Sequence, residues 1–135
     1  MAVFVLTDAS LTVNSVNLSA YVTSITLNWE RDSVETTAMG ATGHVFAGGL
    51  QNISLDVTLN QDFAASTVAP TLDALVGSTT TVVVKPTSAA TSATNPTYTI
   101  SNAFLAAVQP VSGSTGDLAS MSISFTGGSL VKTTS

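Results

Sequence analysis

Residues 29–63 read WERDSVETTAMGATGHVFAGGLQNISLDVTLNQDF. Two alternating segments frame this stretch. Upstream, Val22 to Arg31 places Ile25, Leu27 and Trp29 on one side and Thr26, Asn28 and Glu30 on the other. Downstream, Gln51 to Asn60 turns Ile53, Leu55, Val57 and Leu59 inward and Ser54, Asp56, Thr58 and Asn60 outward. Period-two alternation of this length predicts half-buried strands, here an antiparallel pair. Between them, Thr36 to Leu50 carries no formal charge other than a protonated His44. It holds Met39, Val45, Phe46 and Leu50 among small residues. Large exposed apolar patches usually mark contact sites, and loops longer than about 12–15 residues tend to be functional. The stretch at about 32–50 is therefore expected to be an arm that docks onto a neighbouring subunit. Its contact residues would be Val34, Met39, His44, Val45, Phe46 and Leu50. The competing expectation is a loop folded over its own core or left mobile.

Strand signals dominate the rest of the chain. Leu11 to Val13 reads as a short strand that Asn14-Ser15 turns back toward Val16-Asn17-Leu18. One helix is expected between Ser66 and Val76. Val68, Leu72, Leu75 and Val76 share a helical face, Pro70 suits a first turn, and Gly77 suits a left-handed C-cap. Thr79 to Lys85 is a β-branched run that Pro86 stops. Thr87 to Thr97 reads as a mobile or partner-ordered loop. Tyr98 to Val108 reads as a strand with Tyr98, Ile100, Phe104, Ala106 and Val108 on one face. Ser112 to Asp117 is a turn. Ala119 to Phe125 gives a last strand, ended by Gly127-Gly128, with a loose polar tail. The order β-β-β-α-β-β-β, as one domain over residues 1–135, predicts a mainly β fold. It is a β-sandwich or flattened barrel with one flanking helix. Its edges lack the usual Lys, Pro and charges, so at least one is expected to pair with another chain.

Composition narrows the function. Charged residues are 8% of the chain, against about 25% in ordinary domains. Serine and threonine supply 40 of 135 residues, so the polar surface is built from hydroxyls. Hydroxyls cost little to bury once hydrogen-bonded, and such a surface suits coverage by another protein. The 44% hydrophobic content argues against disorder. The net charge is −5, and Arg31, Lys85 and Lys132 lie far apart, which argues against tight DNA binding. MAVFVLTDASL lacks a basic leader, and no apolar run is long enough to span a bilayer as a helix. The chain is expected to work in a cytoplasm without membrane insertion, which leaves the sequons at Asn17 and Asn52 without meaning.

The chemical inventory is sparse. There is no cysteine, and His44 is the only histidine. A Ser-His-Asp site or a zinc site has little to draw on. Glu30, Asp32 and Glu35 around Arg31 could ligate calcium, but a solvated strand end or pairing across a subunit boundary is the plainer reading. Asp56 and Asp62 could serve a glycosidase, yet lone strand acids more often solubilise. GATGHVFAGG lacks the Lys-Ser/Thr ending of a phosphate loop. No enzyme activity, cofactor or metal is expected.

Residues 18–63 resemble the tail tube (major tail) proteins of long-tailed, siphovirus-type bacteriophages. The likeness is carried by Leu18-Ser19-x-Tyr21-Val22 leading into an amphipathic strand, by VETTAMG at residues 34–40, and by Gly49-Leu50-x-Asn52-x-Ser54. The resemblance implies hexameric rings stacked into a hollow tube that conducts phage DNA into the host. The 32–50 arm would reach an adjacent ring, and Asp56, Thr58 and Asn60 would face the channel. Implied partners are copies of the chain, tape measure, terminator and tail-tip proteins, and DNA passing without specific binding. The place of action would be the virion tail, assembled in the bacterial cytoplasm. Two other classes stay open. One is another virion protein: a tail terminator, head–tail adaptor, tail-tip or capsid decoration protein. The other is a monomeric β-sandwich carbohydrate-binding module using Trp29, Tyr21 and Tyr98.

Overall fold

The alternating stretch becomes the longest hairpin of the protein. In the computed structural model, which describes residues 9–65 and 67–134, the strands are β1 (Ser10–Val13), β2 (Val16–Asn17), β3 (Val22–Glu35), β4 (Phe46–Asn60), β5 (Ser78–Lys85), β6 (Thr97–Leu105), β7 (Ser120–Thr126) and β8 (Ser129–Thr133). A 3-10 turn covers Ser19–Tyr21 and one helix, α1, covers Val68–Asp73. The strands form one antiparallel sheet in the order β2-β1-β5-β6-β7-β4-β3, with β8 added to β6.

The inward residues of β4 are all sealed: Ile53, Leu55, Val57 and Leu59 are at most 2% exposed. They share one core with Leu11 and Val13 of β1, Val82 and Val84 of β5, Ile100 of β6, Met121 and Phe125 of β7, and Leu130 of β8. Strands at both ends of the order feed a single core, so the sheet curls over on itself as a sandwich. Ile25 and Leu27 of β3 line one groove with Val84 of β5 and Tyr98 of β6. The flattened-barrel alternative is not met, because β2 and β3 remain the two ends of an open sheet.

Local chemistry explains the elements. Asn14 and Ser15 sit at φ 49° and 68°, the left-handed pair that a tight β1–β2 hairpin needs. Helix α1 is shorter than its periodicity predicts. Val68 and Leu72 are fully buried, whereas Leu75 falls in the following turn and Val76 is exposed. Pro70 is the third helical residue, where its missing N–H has no intrahelical acceptor to lose. Gly77 at φ 79° ends the turn. Ser66 and most of the expected leaderless N-terminus lie outside the described residues.

Three expectations are corrected. Strand β6 does not keep one face to Val108, since it stops at Leu105 and its phase flips at Asn102. Thr80 pairs with Ala103 and Val82 with Ile100, so Ser101 and Asn102 oppose Thr81 alone. This β-bulge, with Asn102 at φ 61°, turns Ala103 and Leu105 inward and leaves Phe104 on the surface. The polar tail is not loose but forms β8, paired with β6 from Thr97 to Ser101. The loop before β6 is organised around one side chain. Buried Asn95 accepts from the Thr87 N–H and donates to the Ala89 and Ala90 carbonyls.

The bulge and β8 are joined at Gly128. A β-carbon there would stand 2.2 Å from the Ser101 carbonyl oxygen, at φ 84°. Gly127 also has positive φ, but nothing lies within 4 Å of its would-be β-carbon. Gly127→Ala should therefore cost about 1 kcal/mol, from the left-handed backbone alone. Gly128→Ala should cost about 3 kcal/mol or more, through the clash with the Ser101–Asn102 backbone of β6. Urea unfolding monitored at Trp29 or by circular dichroism measures both, and equal midpoints for the two variants would contradict this account of the junction.

Candidate assembly surfaces

Strand β7 pairs with β4 only from Ser54 to Asn60. Beyond that point the β-ladder of β4 is with β3 alone among the described residues, from Trp29↔Ile53 out to Glu35↔Phe46. At the root of the hairpin, the Gly127 N–H donates to the Ile53 carbonyl and the Leu130 N–H of β8 to Gln51 Oε1. The seven residues of β4 past Ile53 and the six of β3 past Trp29 extend about 20 Å at the usual rise per residue. The expected arm is thus an extended, freestanding β-hairpin whose true loop is only residues 36–45, not an unstructured loop of 32–50. Its apolar side chains are uncovered. Met39 is fully exposed and Leu50 is 80% exposed, and Trp29, Val34, Val45 and Phe46 are about half exposed. Trp29, on the same side of β3 as Ile25 and Leu27, is 48% exposed although it pairs with buried Ile53.

The hairpin is internally ordered. Arg31 donates from Nη1 to the Gly49 carbonyl at 3.2 Å. The ladder shifts between Arg31 and Ser33, and a β-carbon at Gly49 would crowd Asp32 and Val34 at 3.2 Å. At the tip the Thr36 N–H donates to the Val45 carbonyl at 2.7 Å, and the Val45 N–H donates to Thr37 Oγ1 at 2.8 Å. His44 Nδ1 meets Glu35 Oε2 at 2.7 Å, and the His44 ring lies 6.4 Å from that of Phe46. Hydrogen bonds from His44 and then Thr37 hold the Glu35 carboxyl below its ordinary range. His44 therefore fastens the tip, with its side chain 76% exposed.

The second surface is the outward face of β3, β4 and β7. Asp56 stands between Thr26 and Ser124, Thr58 between Ser24 and Ser122, and Asn60 opposite Ser120. Ser124 donates to Asp56 Oδ1 at 2.8 Å, Thr58 and Ser122 hydroxyls lie 3.3 Å apart, and Asn28 donates to Ser54 at 3.2 Å. A shallow depression of about 410 Å³ over Asp56, Thr26, Ser122 and Ser124 is bordered by Ala106 and Ala107. The hydroxyls of β7 belong to this face as fully as those of β4. Their alternation was visible in the sequence, but the β4–β7 neighbourhood was not.

Chemistry-bearing residues do not converge elsewhere. Asp56 is mid-strand, whereas Asp62 lies past the strand end, close enough to Tyr21 to raise its phenol pKa through a hydrogen bond. No group of three or more His, Cys, Asp or Glu comes together among the described residues. Tyr21 and Tyr98 pack against the core, so they do not join Trp29 in an exposed aromatic platform.

No protein-family model and no curated protein matches the sequence. Solved structures do. A chain in the virion of a native gene transfer agent particle superposes with a TM-score of 0.72 at 13% identity, over 93% of this chain and 95% of its own. A chain in the structure of the PVC sheath/tube terminator of an extracellular contractile injection system gives 0.70 at 14% identity, over 98% of this chain and 97% of its own. The tail tube of SPP1 gives 0.70 at 12% identity, over 95% of this chain and 77% of its own. Across nearly its whole length, the chain has the tail-tube fold: one curled antiparallel sheet with a short helix at its side.

Proposed function

We propose that this chain is a structural subunit of a phage-type tail tube, assembling into hexameric rings that stack and conduct DNA. The observation that carries the reading is the freestanding hairpin. Six large apolar side chains, Trp29, Val34, Met39, Val45, Phe46 and Leu50, are about half exposed or more on the hairpin and its tip, uncovered by the other described residues. Exposed apolar area of this kind favours burial against protein. The fold shared with the SPP1 tail tube and the gene transfer agent virion supplies the setting. Ring closure would use sheet edges, and β3 offers a 14-residue edge paired on one side only. Further partners would be tape measure, terminator and tail-tip proteins. The place would be the virion tail, assembled in the host cytoplasm, with no catalytic role.

The Asp56 face would line the channel. Six copies of a chain of net charge −5 give a ring of −30. Hydroxyls and carboxylates without clustered bases let phosphates pass without counterion-releasing contacts. A second reading has its own support, because a chain in a sheath/tube terminator structure superposes as well as the SPP1 tail tube does. A terminator would stop at one ring, so electron microscopy of the purified protein separates the two: long tubes against single rings.

Two variants test the parts. Joining Glu35 to Phe46 through Asn-Gly in place of residues 36–45 preserves the last cross-strand pair with a two-residue turn. The shortened chain should fold with an unchanged unfolding midpoint and form rings but no tubes; normal tubes in negative stain would remove the arm from stacking. Asp56→Lys should leave assembly intact and slow DNA release from assembled particles several-fold, most strongly at low salt. Unchanged release kinetics would take Asp56 off the channel wall.

A further inference from the structure

A filament built head to tail needs two different surfaces, one on each pole of the subunit, that fit one another. The hairpin tip provides the first. The second is at the far end of the same strand. Strand β4 runs from Phe46 at the tip to Asn60, about 50 Å of extended chain. At that end Phe63, Val111 and Leu118 are 63%, 90% and 72% exposed. Phe63 and Val111 border a shallow hollow of about 270 Å³ with Pro110, Gly113 and Asp117. The loop that carries them is fixed in place: Gln61 donates from its side chain to the Pro110 carbonyl at 2.9 Å and from its backbone to the Ala119 carbonyl at 3.0 Å. The turn itself is closed by the Asp117 N–H on the Ser114 carbonyl at 3.0 Å.

We propose that the Phe63–Val111 hollow, together with exposed Leu118 between its lining residues Asp117 and Ala119, is the socket for the hairpin tip of a second copy of the chain in the next ring. The assignment rests on the tube reading and names its missing half. Both surfaces are apolar, exposed and internally ordered, and they occupy opposite ends of one strand, as axial repetition requires. Their charges are compatible. Thr36 to Leu50 brings no carboxylate, and the one acid at the tip, Glu35, is hydrogen-bonded to His44, so the tip carries little negative charge toward Asp62 and Asp117. One chain cannot make the contact with itself, because β4 holds tip and hollow apart. Repetition from copy to copy therefore produces a filament instead of a closed dimer.

The chain has no cysteine, which makes site-directed crosslinking clean. Met39→Cys is combined in turn with Phe63→Cys, Val111→Cys or Leu118→Cys, all at exposed positions that the fold tolerates. Assembled protein is treated with a short bis-maleimide. A ladder of dimers, trimers and longer species on denaturing gels is expected for at least one pair. Monomers are expected for each single variant and for Met39→Cys with Val131→Cys on β8. Tubes in which none of the three pairs links would overturn the socket while leaving the tube reading intact. Wild-type protein that stays monomeric at high concentration would remove the tube reading, and the socket with it. As an independent check, Val111→Asp with Leu118→Asp should keep the circular dichroism spectrum and yield rings without tubes; tubes of normal length would again refute the socket.

Discussion

Everything here depends on where β4 loses its second neighbour. From Ser54 to Asn60 it is held between β3 and β7, and its inward side chains fill the core. From Asn52 outward its ladder is with β3 alone among the described residues, apart from the Leu130 N–H of β8 that donates to the Gln51 side chain. An isolated two-stranded ribbon is marginal in water. This one continues because it is templated by the three-stranded part behind it, and because the tip is fastened by Thr36, Thr37, Val45 and the Glu35–His44 pair. The same ladder thus serves stability at one end and display at the other.

That division explains which parts of the sequence were readable. Alternation in β4, β5 and β7 reports a buried face and an exposed face, and the structure has those faces. The exposure of Val34, Met39, Val45, Phe46 and Leu50 was legible because these apolar residues sat in a glycine-rich stretch poor in charge, a combination that burial in the chain's own core does not account for. Its conformation was not legible. Gly48, Gly49 and the ladder shift near Asp32 broke the period-two pattern, so a paired strand read as loop. Hydrogen bonding between backbones leaves no trace in the pattern once both faces of a ribbon are exposed.

The errors share a cause. Phe104 was placed inward because alternation counts residues evenly, while the bulge at Ser101-Asn102 inserts one more. Strand β8 was missed because only Leu130 of its five residues is buried, and one buried residue has no period. Asn95 organises its loop through long-range geometry that composition cannot show. The hollow at Phe63, Val111 and Leu118 followed the same logic as the arm, apolar residues among glycine and serine. It was divided between two segments 48 residues apart, and only the folded chain brings them together.

The scarcity of charge follows from the same constraint. A subunit whose poles and edges are all to be covered gains little from charged side chains, whose desolvation is costly unless each finds a partner. Hydroxyls tolerate both conditions. On the Asp56 face they hydrogen-bond one another across strands, as Thr58 does with Ser122, and they need no counter-charge from a neighbour. Solubility before assembly then rests on a net charge of −5 spread over few carboxylates. A surface of this kind is adequate for a free subunit and better suited to a wall. On the tube reading, hydroxyl-rich strands, a hairpin tip poor in charge and an apolar hollow at the opposite end of β4 express one adaptation on three faces of one fold.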